Sequence, residues 1–153
     1  MKKDYDEPIF IDVTCNKSGS MVNQIETEIR ELCSEQPFAV LATQGQGQPY
    51  TNLISFAFSE SLEHLVFATP DQTRKYSLII SNEKVSLLID NRDQQPESIN
   101  LIRAITVTGK ARVLENENEV KQWSEVLAKR HSYLEKFINS PTTSLILVDI
   151  IRF

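Results

Sequence analysis

The sequence predicts an α+β domain: a small barrel of about six mainly antiparallel strands with helices on its outside. Short segments in which apolar and polar residues alternate predict the strands. Two longer segments with apolar residues at helical spacing predict the helices. Clusters of Gly, Pro, Asn and Asp separate the segments, as turns require.

Residues 1–20 mix Asp, Lys, Asn and Ser around the apolar stretch Ile9 to Val13 and read as a loosely attached arm with one edge strand, so the domain is expected over 21–153. From Met21 to Cys33, Val22, Ile25, Ile29 and Leu32 form one apolar helical stripe that Pro37 ends. Phe38 to Thr43 and Tyr50 to Phe58 flank Gly45-Gln46-Gly47-Gln48-Pro49 and read as a hairpin, with Ile54, Phe56 and Phe58 sharing one face. A dinucleotide loop needs a helix after its glycines, whereas Pro49 and a strand follow here.

His64 to Thr69 forms a third strand, Pro70 to Asn82 contains a short helix that buries Leu78 and Ile79, and Lys84 to Asp90 forms a fourth strand. Arg103 to Leu114 is a long half-exposed strand with Ile105, Val107, Gly109, Ala111 and Val113 on one face. Asn116 to Ile138 reads as one helix, carrying acids Glu117 and Glu119 in its first turn and Pro141 beyond its end. Ser144 to Ile151 closes the fold as a last strand.

With 153 residues, 41% hydrophobic and 24% charged, the chain has the make-up of one soluble globular domain. Its apolar runs are far shorter than the ~20 residues that cross a bilayer, and MKKDYDEPIF has no apolar signal core, so a cytoplasmic protein with no membrane partner is expected. Cys15 and Cys33 form no C-x-x-C pair and have no His at metal-ligand spacing, which predicts reduced thiols and no metal. A formal charge of −5 without any basic run argues against nucleic acid as a partner.

The stretch with most chemistry is Thr69-Pro-Asp-Gln-Thr73-Arg74-Lys75, which puts hydroxyls and two cations at the start of a helix. Free N–H groups there favour an anion and disfavour cations by about 0.3–1 kcal/mol, so Arg and Lys break a local rule that a bound phosphate would restore. The alternative is a pair of solvated surface cations. His64, at a strand start, and His131, four residues after Leu127, read first as packed or surface side chains, with haem ligation as the functional alternative. Trp123 and the phenylalanines are core residues before they are stacking platforms.

Phe67-Ala68-Thr69, Thr73-Arg74-Lys75, Asn82-Glu83-Lys84-Val85-Ser86-Leu87-Leu88 and Arg103-Ala104-Ile105-Thr106-Val107-Thr108-Gly109-Lys110-Ala111 together resemble the flavin mononucleotide (FMN)-binding core of the pyridoxamine 5'-phosphate oxidases, over roughly half the chain. The resemblance implies a six-stranded, mainly antiparallel split β-barrel with flanking helices over 21–153, and a homodimer with FMN in the cleft between subunits. It carries Thr69, Thr73, Arg74 and Lys75 over as phosphate-side ligands. It also carries over the backbone of Leu53, Ile54 and Ser55 as the edge that meets the flavin ring. The expected activity is that of an FMN-dependent oxidoreductase whose substrate and electron donor the sequence does not name. The alternatives are a non-catalytic flavin- or deazaflavin-binding protein and, from haem-handling relatives of the fold, a haem-binding protein.

The sequence also departs from the pattern. YTNLISF lacks the Arg and Lys of the family's R-x-V-L-L-K strand, and Ala104 stands where R-Q-V brings a flavin-contacting Gln. The C-terminal Trp, Arg and His motif that reads the pyridoxal substrate is also missing. True pyridoxamine 5'-phosphate oxidation is therefore not expected. The expected homodimer has a second argument, that one barrel leaves Ile54, Phe56 and Phe58 partly covered.

Overall fold

The computed structural model describes residues 19–94 and 97–153. The expected N-terminal arm, with its strand at Ile9–Val13 and with Cys15, lies outside them except for residues 19 and 20, which open the first helix. The elements run α1 (Gly19–Glu35), β1 (Phe38–Gly45), β2 (Gln48–Phe58), β3 (His64–Pro70), α2 (Arg74–Ser81), β4 (Lys84–Asp90), β5 (Ala104–Val113), α3 (Glu117–Arg130), α4 (Glu135–Ile138) and β6 (Thr143–Arg152). Every strand pairing is antiparallel, and the order β1-β2-β3-β6-β5-β4 closes into a barrel because β4 returns to β1.

The β1–β2 hairpin closes through Gln46 and Gly47, whose φ values of 53° and 79° make a two-residue turn matching the twist of its strands. Alternation then fills the barrel. Leu41, Ile54, Phe56, Leu65, Phe67, Leu87, Ile89, Val107, Ile146 and Val148 point inward and form one buried cluster. Closing the sheet on itself leaves β3 and β6 buried on their outer side too, where Ala57, Val66, Leu145 and Leu147 meet Trp123 and Leu127 of α3 and Ile138 of α4. That double burial explains the unbroken apolar run Leu145 to Val148.

The helix expected over Asn116–Ile138 is interrupted. It ends at Arg130, and His131, with φ −126° and ψ 66°, turns the chain before α4. Its imidazole enters the interior, 2% exposed, where Nε2 donates to the Phe56 carbonyl at 2.8 Å.

The exposed apolar face differs from the expected one. Ile54 and Phe56 are 5% and 0% exposed inside the barrel, and Phe58 packs against that core with its ring 6.0 Å from Phe153. The side chains left in solvent belong to the opposite phase: Phe38 on β1 and Leu53 on β2, 46% and 66% exposed. Val40, on that same outer face, stands in register with Leu53 on one side and Leu88 on the other.

Candidate functional site

β2 and β3 pair over three positions only: Phe56 with Phe67, Ala57 with Val66 and Phe58 with Leu65. Upstream, β2 stays hydrogen-bonded to β1 from Gln48 to Ser55, while Ala68, Thr69 and Pro70 of β3 pair with Leu145, Ser144 and Thr143 of β6. The two strands therefore part between Leu53–Ser55 and Ala68–Pro70, splitting the barrel. An antiparallel strand paired on one side alone directs alternate N–H and C=O groups away from its neighbour, so the backbone of Leu53, Ile54 and Ser55 has an edge open to a ligand. The Ile54 side chain points into the core, and Leu53 points to solvent.

The chain leaves β3 through a tightly bonded turn. Thr69, fully buried, places Oγ1 2.9 Å from Thr73 Oγ1, and Thr73 donates to the Pro70 carbonyl at 2.9 Å. Thr73 is also the N-cap of α2, accepting from Tyr76 N–H at 3.4 Å. Asp71 is turned toward β6, its carboxylate accepting from Ser144 Oγ at 2.6 Å. The nearest acid in sequence is thus engaged elsewhere. The described ion pairs use other residues (Arg30 with Glu26, Arg103 with Glu31 and Glu35, Lys110 with Glu83 and Arg112 with Glu119 among them), and none involves Arg74 or Lys75.

Arg74, the first residue of α2, lies with its guanidinium carbon 4.8 Å from the centre of the Tyr50 ring. It faces a groove of about 580 Å³ between the β1–β2 turn and α2, lined also by Gln44, Gln46, Ser77, Ser81 and Asn82. The structure joins Thr69 to Thr73 and seats Arg74 beside Tyr50, whereas Leu53 lies apart on the outer face of β2. Tyr50 was not legible as a site residue, because its contact with Arg74 joins two elements that only the fold brings together.

The two histidines have different surroundings. His131 is sealed: Nε2 is held by Phe56 O, and the Tyr133 hydroxyl lies 3.3 Å from Nδ1. His64 is half-exposed, with Nδ1 3.0 Å from Asp149 Oδ1 and its ring edge-on to Trp123 at 5.8 Å. Among the described residues no group of His, Cys, Asp and Glu side chains is arranged to hold a metal ion, and no helix is long and apolar enough to cross a membrane.

A model of the pyridoxamine 5'-phosphate oxidase family matches residues 25–152, which take in the whole barrel. The chain belongs to this family. No curated protein matches it. Among solved structures, the family fold recurs in the haem storage protein HutZ from Vibrio cholerae, with 20% identity and a TM-score of 0.67 over 84% of this chain and 91% of that one. It recurs in a haem-binding protein from Mycobacterium smegmatis, with 14% identity and a TM-score of 0.70 over 80% of this chain, which spans only 50% of that protein. A Listeria innocua protein named for pyridoxamine 5'-phosphate oxidase has 17% identity and a TM-score of 0.63 over 82% of this chain and 93% of its own.

Proposed function

We propose that this family member is an FMN-binding flavoprotein that works in the cytoplasm as a homodimer and serves as an FMN-dependent oxidoreductase. The carrying observation is the pair Arg74 and Lys75, two cations at the start of α2 that have no carboxylate partner among the described residues, beside the gap between β2 and β3. A guanidinium and an ammonium at a helix start, where backbone N–H groups point outward, suit a phosphate monoester. In this reading Arg74 and Lys75 hold the phosphate, Thr69 and Thr73 shape the turn that presents them, and the open edge of Leu53, Ile54 and Ser55 meets the polar rim of the ring. These residues bind and orient; none is assigned as acid or base. When bound, FMN supplies the electron chemistry. The outer face of Phe38, Val40, Leu53 and Leu88 is the one the partner subunit covers. Ala104 departs from the family pattern here, since it offers no amide to the flavin.

A second reading is supported by the His64–Asp149 pair and by the fold's recurrence in proteins named for haem binding and storage. A carboxylate on Nδ1 is how proteins commonly orient an imidazole whose Nε2 binds a metal. The absorption spectrum of freshly purified protein separates the readings. Oxidised flavin bands support the first, while a Soret band on haem titration that is lost in His64→Ala supports the second. Steady-state oxidation of a reduced nicotinamide by the flavin-loaded protein then separates an oxidoreductase from a non-catalytic flavin holder.

A further inference from the structure

Arg74 is placed against its own helix. A cation in the first turn of α2 faces the positive end of the helix dipole, and no carboxylate among the described ion pairs offsets it. What meets it is the face of Tyr50, 4.8 Å away. Tyr50 belongs to β2, in register with Thr43, whose hydroxyl donates to the Tyr50 carbonyl at 3.3 Å. The ring therefore stands on a strand paired with β1 from Gln48 to Ser55, and Leu78 of α2 packs so closely over Gly45 of β1 that a Cβ there would collide with it. Ring and guanidinium are carried by two elements packed on the same hairpin. Among the described residues, Arg74 is also the only charged side chain lining the groove that holds Gln44, Gln46, Ser77, Ser81 and Asn82.

From this geometry we infer that Tyr50 is a positioning residue for anion binding. It touches no phosphate. Its ring holds the Arg74 guanidinium against its face beside the groove, so that the planar fork is already confined when a phosphate monoester arrives. A flexible arginine loses rotamer freedom on binding; a stacked one has lost part of it beforehand, and that difference appears as affinity. A carboxylate in place of the ring would orient the guanidinium too, but would compete with the ligand for its N–H groups. An aromatic face leaves them free.

The inference rests on the proposed phosphate reading, and the test keeps the two apart. FMN and riboflavin are titrated by flavin fluorescence into wild type, Tyr50→Phe, Tyr50→Leu, Arg74→Ala and the Tyr50→Leu/Arg74→Ala double variant, with thermal midpoints recorded alongside. Tyr50→Phe keeps the ring and should bind FMN as wild type does. Tyr50→Leu should weaken FMN by about threefold to tenfold and leave riboflavin unchanged, with no further loss in the double variant relative to Arg74→Ala. Should Tyr50→Leu not fold, Tyr50→Thr, a strand-forming residue without a ring, replaces it. Unchanged FMN affinity in Tyr50→Leu, alongside weakened binding in Arg74→Ala, overturns the positioning role and leaves the phosphate reading standing. Equal losses for FMN and riboflavin also overturn it, because the ring would then serve the flavin or the fold. Unchanged FMN affinity in Arg74→Ala removes both.

Discussion

The guanidinium of Arg130 lies 4.8 Å from the centre of the Phe56 ring while it donates to the carbonyls of Cys33 and Gln36. One side chain at the end of α3 thus caps the C-terminal end of α1 and stacks on the core of β2. Replacing it with Met keeps much of the apolar stem and strips the carbonyls of their donor. Arg130→Met should cost about 2–3 kcal/mol, read from denaturant midpoints, while Arg130→Lys should recover part of that loss.

Burial pushes the Cys33 thiol up from 9.0 to about 12, against the opposing pull of Arg130 and Arg30. The unfolded chain releases this proton near 9.0 and the folded chain keeps it to about 12. Between those values the native state binds the extra proton, so stability falls as pH rises. In a Cys15→Ser background the contribution should approach about 1.4 kcal/mol lost per pH unit. Cys33→Ala should flatten the curve by that amount when denaturant midpoints are compared across the same range.

Gly109 sits where β5 shifts register against β6, and a Cβ there would stand 2.5 Å from the Asp149 carbonyl and 2.7 Å from Val148 Cγ1. The carbonyl belongs to a paired strand and cannot move alone. Gly109→Ala should therefore destabilise by about 1–3 kcal/mol in thermal or chemical unfolding. Gly45→Ala, which meets the movable end of Leu78, should cost less.

Leu53, 66% exposed, stands in register with Val40 on the outer face of the hairpin. With a partner subunit covering this face, light scattering at micromolar concentration should give a dimer for wild type and a monomer for Leu53→Lys, with the barrel still folded by circular dichroism. A monomeric wild type contradicts the proposed assembly.

The sequence made the strands legible because each buries one face or both, and period-two alternation survives in residues such as Ile54, Phe56, Val107 and Ala111. It also placed a hairpin turn within Gly45 to Pro49, where Gln46 and Gly47 make it, and the cations at the start of α2. It did not reveal the break at His131, since nothing local distinguishes an imidazole that bonds the Phe56 carbonyl from one on a helix surface. Nor did it reveal which phase of β2 stays exposed. Alternation gives two faces, and only barrel closure decides that Phe56 is inside and Leu53 outside. The Arg74–Tyr50 contact has no trace in spacing for the same reason.

The central claim is that Arg74 and Lys75 hold a phosphate, and its most direct test compares two ligands that differ by that group. Wild type, Arg74→Ala and Lys75→Ala are each titrated with FMN and with riboflavin. Charge-assisted hydrogen bonds contribute about 1.5–3 kcal/mol, so each substitution should weaken FMN by roughly tenfold to a hundredfold and leave riboflavin where it was. Equal FMN affinity in all three proteins would contradict the claim and return Arg74 and Lys75 to the role of solvated surface charge.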